Sequence, residues 1–296
     1  MTLPISVMMI TLNEAHHMEG VLQNLKGWAD QIFVVDSFSV DNTVDIALSH
    51  NVYVVQRRFH DFGDQWNFAI SALPITTPWT MKLDPDERLS DGLKAEIAEC
   101  LAADHADAYA FRRKLFLMGK PLRSENEVVR LWRTGTAKFT EVMVNERPVI
   151  DGTIHRVSTP MEHLDSPNLH HWFEKQNRYM TQEATARFRG ETGVEKPNLF
   201  GTHFERRAWL KQLLFKLPGR YVILHLYHLF WTGAWRSGRA GWIWARLRTE
   251  VYRSAELKYR EMTWMGREYG PAYSGTGAPH PGAHQATDQT EHRPKD

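Results

Sequence analysis

Four short apolar runs punctuate residues 5–83 at intervals of about 25 residues: Ile5 to Ile10, Ile32 to Val35, Val52 to Val55 and Trp79 to Leu83. Short runs that stop at polar residues read as buried strands. The segments between them carry helical spacing. Met18, Val21, Leu22, Leu25 and Trp28 fall on one helix face. Asp41-Asn42-Thr43 offers capping groups to a helix carrying Val44, Ala47 and Leu48. A further helix is expected around Gln65 to Leu73. Strand and helix alternating at this spacing imply an α/β chain with a mostly parallel central sheet. Such sheets bind ligands beyond the carboxyl ends of their strands. Three polar clusters fall there: Thr11/Asn13/Glu14, Asp36/Ser37 and Asp84/Asp86.

The last of these sits in WTMKLDPDE, residues 79–87. Side chains two apart point the same way from an extended backbone, so Asp84 and Asp86 converge at a strand mouth. Like charges so placed repel unless a cation lies between them. Hard ions such as Mg²⁺ suit carboxylate oxygens together with the oxygens of a substrate phosphate. A lone D-x-D is more often a polar turn, and Pro85 would favour one. Three polar clusters at three strand ends tip the balance toward a binding site.

Further along, Leu93, Ile97, Cys100 and Leu101 make one apolar helix face, with Cys100 a small core residue. Ala108 to Leu117, Val128 to Trp132 and Phe139 to Val149 read as strands, and Leu169 to Phe188 as a polar helix. A single cysteine forms no internal disulfide and gives no sign of an oxidising compartment. No apolar run reaches the roughly 20 residues a bilayer span needs. The N-terminus lacks a basic region and a cleavage site, so a cytoplasmic location is expected.

The net charge of +1 conceals a division. Residues 1–202 carry −6, residues 203–267 carry +9 with six of the eleven tryptophans, and residues 268–296 carry −2. The chain is therefore expected to comprise an acidic α/β domain over 1–202, a basic, Trp-rich helical extension over 203–267, and a disordered tail over 268–296. Basic and aromatic residues together suit a helix lying on an anionic membrane surface. The plainer alternative is that these tryptophans pack onto the domain.

ITLNE near the N-terminus, VVDSFSVDNT at 34–43, QWN at 65–67 and LDPDE at 83–87 together resemble family-2 inverting glycosyltransferases of the GT-A fold. The nearest likeness is to the branch containing lipopolysaccharide-core glucosyltransferases, and it covers about residues 4–185. The resemblance implies a nucleotide-sugar donor, UDP-glucose by preference, a Mg²⁺ or Mn²⁺ cofactor, and a glycan or lipid-linked acceptor at the inner face of the membrane. No nucleic-acid partner is expected.

It implies roles for individual residues too. Asp36 contacts base or ribose, Asp84 the ribose, and Asp86 the metal. Gln65 and Asn67 line the nucleotide pocket with Thr11, Asn13, Glu14 and Ser37. Asp41 and Thr43 either contact ligand or simply cap a helix. RLWR at 130–133 and VNER at 144–147 stand where the family has R-L-F-R and V-H-E. Glu146 is then the base that deprotonates the acceptor, although Asn145 replaces the family's histidine. Glu125 is the alternative base. Arg130 either approaches the donor phosphates or makes a surface ion pair. His163 is either a third metal ligand or a hydrogen-bonded structural histidine. Lys175, Asn177, Arg178 and Tyr179 match a K-x-N-R-Y region on the acceptor side. Two other readings stand beside this one. A sugar-nucleotide pyrophosphorylase would need a Gly-rich basic loop after the first strand, which TLNEAHHM does not supply. A catalytically inactive sugar- or membrane-binding scaffold is the other.

Overall fold

The computed structural model describes residues 2–140, 146–190 and 198–270, apart from 203–204, 207–208, 211–212 and 215–216. Its first part alternates as the spacing requires. β1 (Leu3–Thr11) leads to α1 (Ala15–Leu25), β2 (Ala29–Asp36) to α2 (Thr43–Ser49), and β3 (Tyr53–Gln56) to α3 (Phe62–Ala72), before β4 (Trp79–Lys82). These strands pair in parallel in the order β3-β2-β1-β4. Thr11 lies in register with Asp36, so two of the polar clusters meet directly.

Beyond β4 the direction changes. β5 (Glu87–Arg88) and α4 (Asp91–Ala103) precede β6 (Ala108–Leu117) and β7 (Lys120–Arg133). Met118 and Gly119 join the last two strands with φ of 51° and 69°. A two-residue turn of that kind reverses the chain, so β7 pairs antiparallel with β6. β7 also lies antiparallel against β4, which puts the middle of the hairpin beside the D-x-D turn. The sheet continues through β10 (Ile154–Arg156) and β11 (Met161–His163), both parallel to β6, and β11 closes on β5. Among the described residues, five of the eight pairings in this nine-stranded sheet are parallel.

One expected strand divides. Within 139–149, β8 (Ala137–Phe139) and β9 (Pro148–Ile150) pair antiparallel as a separate ribbon. Thr140 and the run Glu146-Arg147 interrupt the apolar alternation that one strand would need. Asn145 lies outside the described residues, as do positions 271–296 of the expected tail.

The pleat sorts the core into two layers. Ile5, Val7 and Met9 of β1 face Met18 and Leu22 of α1 and Leu93 and Ile97 of α4. Met8 points the other way, with Phe33 and Val35, onto Trp66 and Ala69 of α3 and Trp132 and Phe139. Each such side chain contributes roughly 1.5–3 kcal/mol on burial. Cys100 lies within the first layer, as a core residue should.

The C-terminal helices are α5 (Leu169–Phe188), α6 (Arg220–Leu226) and α7 (Gly238–Met265), with a π-helical turn over Tyr227–Trp231 and a 3-10 turn over Ala234–Ser237. Leu229, Ala234, Trp244 and Ala245 pack on Leu117 and Leu122 of the β6–β7 hairpin. His228 is buried in this layer, its ring 5.6 Å from that of Trp244 and stacked 5.8 Å from that of Tyr252. Neither ring nitrogen has a hydrogen-bond partner among the described residues. Burial, and then the charge of Arg248, lower its pKa to about 4. The unfolded chain takes up this proton near pH 6.5 and the folded chain does not, so the site costs stability as pH falls from 6.5 toward 4. In urea denaturation at pH 7.5 and pH 5, His228→Leu should lose less stability between the two than the wild type.

Candidate active site

The D-x-D turn is built around one arginine. Arg130 Nη2 donates to Asp84 Oδ2 and to Glu87 Oε1, each at 2.6 Å. Glu87 Oε2 in turn accepts from the Asp84 backbone N–H at 3.0 Å, closing the turn on itself. Arg113 adds a longer contact to Glu87 at 3.5 Å. Arg130 is 4% exposed and Glu87 is fully buried. The arginine is thus buried between two carboxylates rather than making a surface ion pair. Burial opposes its charge, but Asp84 and Glu87 outweigh that and raise its pKa. Burial likewise pushes the Asp84 carboxyl up, and Arg130, helped by Lys82, brings it below the usual range.

Asp86 faces a different set of groups. Its Oδ2 accepts from Lys175 Nζ at 2.8 Å and lies 3.3 Å from His163 Nε2. Lys175, reaching in from α5, also contacts Asp165 Oδ1 at 3.2 Å. Burial works against the Asp86 carboxylate, but Lys175 and His163 together hold its pKa well below normal. The same pairing raises Lys175 well above its ordinary value, and raises His163 against the effect of burial. Asp86 Oδ1 is buried and has no partner among the described residues. Ligand atoms of Asp86, His163 and Asp165 lie within 4.8 Å of one another. Two carboxylates, one of them with an unpartnered oxygen, and an imidazole fit a Mg²⁺ or Mn²⁺ ion. Lys175 is the member that sequence reading did not place here. Its only local signal was the K-x-N-R-Y match.

Asp36 organises the other strand ends. It is fully buried, and its oxygens accept from Thr11 Oγ1 at 2.9 Å, Ser39 N at 2.8 Å, Ser39 Oγ at 2.5 Å and Gln56 Nε2 at 3.2 Å. Asn13, at φ 56°, donates its N–H to Ser39 Oγ and accepts from Val40 N–H. Asp41 and Thr43 then fasten the start of α1: Asp41 Oδ2 accepts from Ala15 N–H at 3.1 Å, and Thr43 Oγ1 from Glu14 N–H at 2.8 Å. Their capping thus serves the neighbouring helix as well as their own. Glu14 sits near Lys175 and Asp86, and burial pushes its pKa up to about 8 with Lys175 only partly opposing.

Gln65 is buried, donating to Ser37 Oγ at 3.3 Å and accepting from Arg57 Nη1 at 2.7 Å. Asn67 uses both ends of its amide on the Phe139 backbone, at 3.0 and 2.8 Å, and so fixes α3 to β8. A groove of about 550 Å³ opens beside it, lined by Arg57, Asp64, Phe68 and Lys138. Glu146 Oε1 accepts from Lys82 Nζ at 2.6 Å, and Lys82 rests over the Trp66 ring at 4.4 Å. Lys82 leads into the D-x-D turn, so Glu146 is tied to the same strand end. The Glu125 backbone pairs with Lys114 in the hairpin, and its side chain lies outside the described residues.

Arg88 connects α1 to this turn. It donates to the carbonyls of Pro85, Glu87 and His17 at 2.6, 2.8 and 2.9 Å. Its guanidinium passes where a Cβ on Gly20 would stand, 2.6 Å away, so that helix position admits only glycine without displacement.

A largely parallel α/β sheet with a D-x-D turn at the end of β4 defines a class, and comparison with known sequences agrees. The family described as Glycosyl transferase family 2 matches residues 6–158, and the chain belongs to it. LpsC of Rhizobium meliloti (strain 1021), named a lipopolysaccharide core biosynthesis glycosyltransferase, is 28% identical over 253 residues, covering 81% of this chain and 86% of LpsC. The glucosyl-3-phosphoglycerate synthase of Mycobacterium tuberculosis, solved with Mn²⁺ and UDP, is 22% identical with a TM-score of 0.29, over 38% of this chain and 43% of that one. This chain thus spans less than half of that synthase. S. aureus TarS 1-349 in complex with UDP aligns over 91% of this chain and 93% of that one, at 14% identity and a TM-score of 0.42.

Removing one partner of a buried ion pair leaves the others uncompensated, at a cost of roughly 3–5 kcal/mol. Arg130→Met should therefore lose stability on that scale in urea denaturation, with Arg130→Lys between it and the wild type.

Proposed function

We propose that the chain is a metal-dependent inverting glycosyltransferase. It moves a hexose, glucose by first preference, from a UDP-sugar to a cell-envelope glycan or lipid-linked acceptor. The observation that carries the reading is Asp86, a buried carboxylate with one oxygen held by Lys175 and His163 and the other unpartnered. Family membership supports glycosyl transfer, and LpsC, by its name, supports a lipopolysaccharide-type acceptor. A pyrophosphorylase has no comparable support. On this reading residues 1–202 form the transferase domain and 203–267 a basic helical extension.

Inverting transfer is a single displacement at the anomeric carbon, so it needs no protein nucleophile. It needs a base for the acceptor hydroxyl and charge to stabilise the departing diphosphate. Asp86 and His163, with Asp165, would hold a Mg²⁺ or Mn²⁺ ion, whose chemistry is to neutralise that diphosphate. Asp84 is aimed by Arg130 toward the donor ribose. Asp36 acts by fixing the loop that carries Ser37 and by holding Thr11, while Asn13, Glu14 and Gln65 border the same pocket. Glu146 takes the acceptor proton, its carboxylate oriented by Lys82. Glu125 remains the second choice.

The extension bears on where the acceptor lies. Val222, Leu226, Phe230, Trp231, Trp235 and Trp242 are all exposed, Trp231 to 83%. Arg236, Arg239 and Arg246 are exposed among them. Apolar exposure in one run of chain differs from scattered surface residues and marks a contact surface. Arginines beside it favour an anionic lipid face. Among the described residues no helix is long and apolar enough to cross a membrane. The proposed attachment is therefore peripheral, at the inner face of the cytoplasmic membrane.

Asp86→Asn should abolish UDP release from UDP-glucose in the presence of acceptor extract while leaving the circular dichroism spectrum intact. EDTA should do the same to the wild type, reversibly with Mg²⁺ or Mn²⁺, and full activity in EDTA would overturn the metal assignment.

Glu146→Gln should lower kcat by about 10²–10⁴, as loss of a general base does. Donor affinity should hold. A large loss in Glu125→Gln alone would move the base there, and no transfer by the wild type to any acceptor would favour the inactive scaffold.

In vesicle sedimentation the protein should pellet with anionic liposomes at low salt and be released at high salt, with each arginine near the surface contributing about 1 kcal/mol. Trp231→Ala and Arg236→Glu should each weaken the association. Equal partitioning with anionic and neutral vesicles would leave an enzyme free of the membrane.

A further inference from the structure

The first turn of α1 carries a second set of ligand atoms, in which His16 and His17 have no part in the transferase reading. Glu14, His16 and His17 each offer one, and the three lie within 4.8 Å of one another. His16 Nε2 stands 3.8 Å from Glu14 Oε2. His17 is only 6% exposed, yet its Nε2 has no partner among the described residues. Glu14 Oε2 is also buried and unpartnered. Buried polar atoms are nearly always satisfied, so two orphans in one turn call for a ligand. A third imidazole, that of His171 on α5, lies 4.4 Å from the ring of His16.

The backbone holds this turn in place from three sides. Glu14 N–H and Ala15 N–H are capped by Thr43 and Asp41, and the His17 carbonyl accepts from Arg88. The arrangement is therefore preorganised without any ion. Its donor set also differs in kind from that around Asp86. Two imidazoles and one carboxylate favour borderline transition ions over Mg²⁺, which prefers oxygen and keeps its waters. Three protein ligands leave coordination positions open.

We propose that Glu14, His16 and His17 form a second divalent-cation site, selective for a borderline ion of the Zn²⁺ type and separate from the Asp86/His163/Asp165 set. The inference rests on the α1 turn alone and not on the transferase reading, since its readout is metal binding.

The test is a Zn²⁺ titration of the full chain, freed of metal and of any polyhistidine tag, in competition with a chromophoric chelator. Stoichiometry is read by elemental analysis. His16 is exposed, so His16→Ala is the primary variant, and its fold is checked by near-ultraviolet circular dichroism. It should weaken the tightest Zn²⁺ site by about tenfold or more, the scale on which metal-site substitutions act. His17→Ala should match it. Asp86→Asn, which acts on Glu14 and His17 only through its field, should change that affinity far less. Unchanged Zn²⁺ affinity in His16→Ala overturns the proposal. Equal loss in His16→Ala and Asp86→Asn also overturns it, because the two sets would then share one ion. Displacement of Zn²⁺ by an equal concentration of Mg²⁺ would refute the selectivity.

Discussion

The architecture depends on how negative charge is neutralised at the ends of β1 and β4. Glu14, Asp84, Asp86, Glu87 and Asp165 converge there, and carboxylates do not gather in a protein interior without cations. Two side chains supply most of that charge. Arg130 takes Asp84 and Glu87, and Lys175 takes Asp86 and Asp165. Each is itself buried, so each ion pair is held at low dielectric, where loss of either partner is costly.

The change of sheet direction serves this arrangement. A sheet continuing in parallel from β4 would need a long crossover before its next strand. The tight turn at Met118-Gly119 instead returns β7 along β4, pairing Met81 with Leu131 and so setting Arg130 beside the D-x-D turn. The hairpin's far end does a second task. Leu117 and Leu122 receive the C-terminal helices, so the basic, aromatic segment is anchored on the same two strands that carry Arg130. α5 completes the connection by delivering Lys175 to Asp86.

What the sequence made legible was periodic or local. Apolar runs ending in polar residues gave β1 to β4 and the helices between them, because periods of 2 and 3.6 are written in consecutive residues. The family likeness gave the D-x-D turn and the class of enzyme. Partnerships across the fold were not legible. Arg130 meets Asp84 across 46 residues and Lys175 meets Asp86 across 89, and no local pattern encodes which cation serves which carboxylate. Asn67 shows the same limit. Its Q-x-N spacing implied a pocket residue, and Asn67 does line the groove beside α3, but nothing local signalled that its amide would also hold the Phe139 backbone. The division of residues 139–149 into two strands followed from polar residues visible in the sequence, but their pairing required the ribbon to be seen.

Lys175 and the proposed divalent ion would address the same carboxylate, and Asp86 has an oxygen for each. The ammonium engages Oδ2 and leaves Oδ1 without a partner. Lys175 faces Glu14, Asp86 and Asp165 together, and burial pushes the Glu14 pKa up to about 8, which favours its neutral form. With Glu14 neutral, Asp86 and Asp165 face Lys175 and His163, whose pKa Asp86 raises. A cation brought in by the Asp86 set would bind Oδ1 without displacing the lysine, and the neutral carboxyl of Glu14 would then ionise more easily. Occupancy at Asp86 would in this way favour ionisation of Glu14 through the field the two carboxylates share.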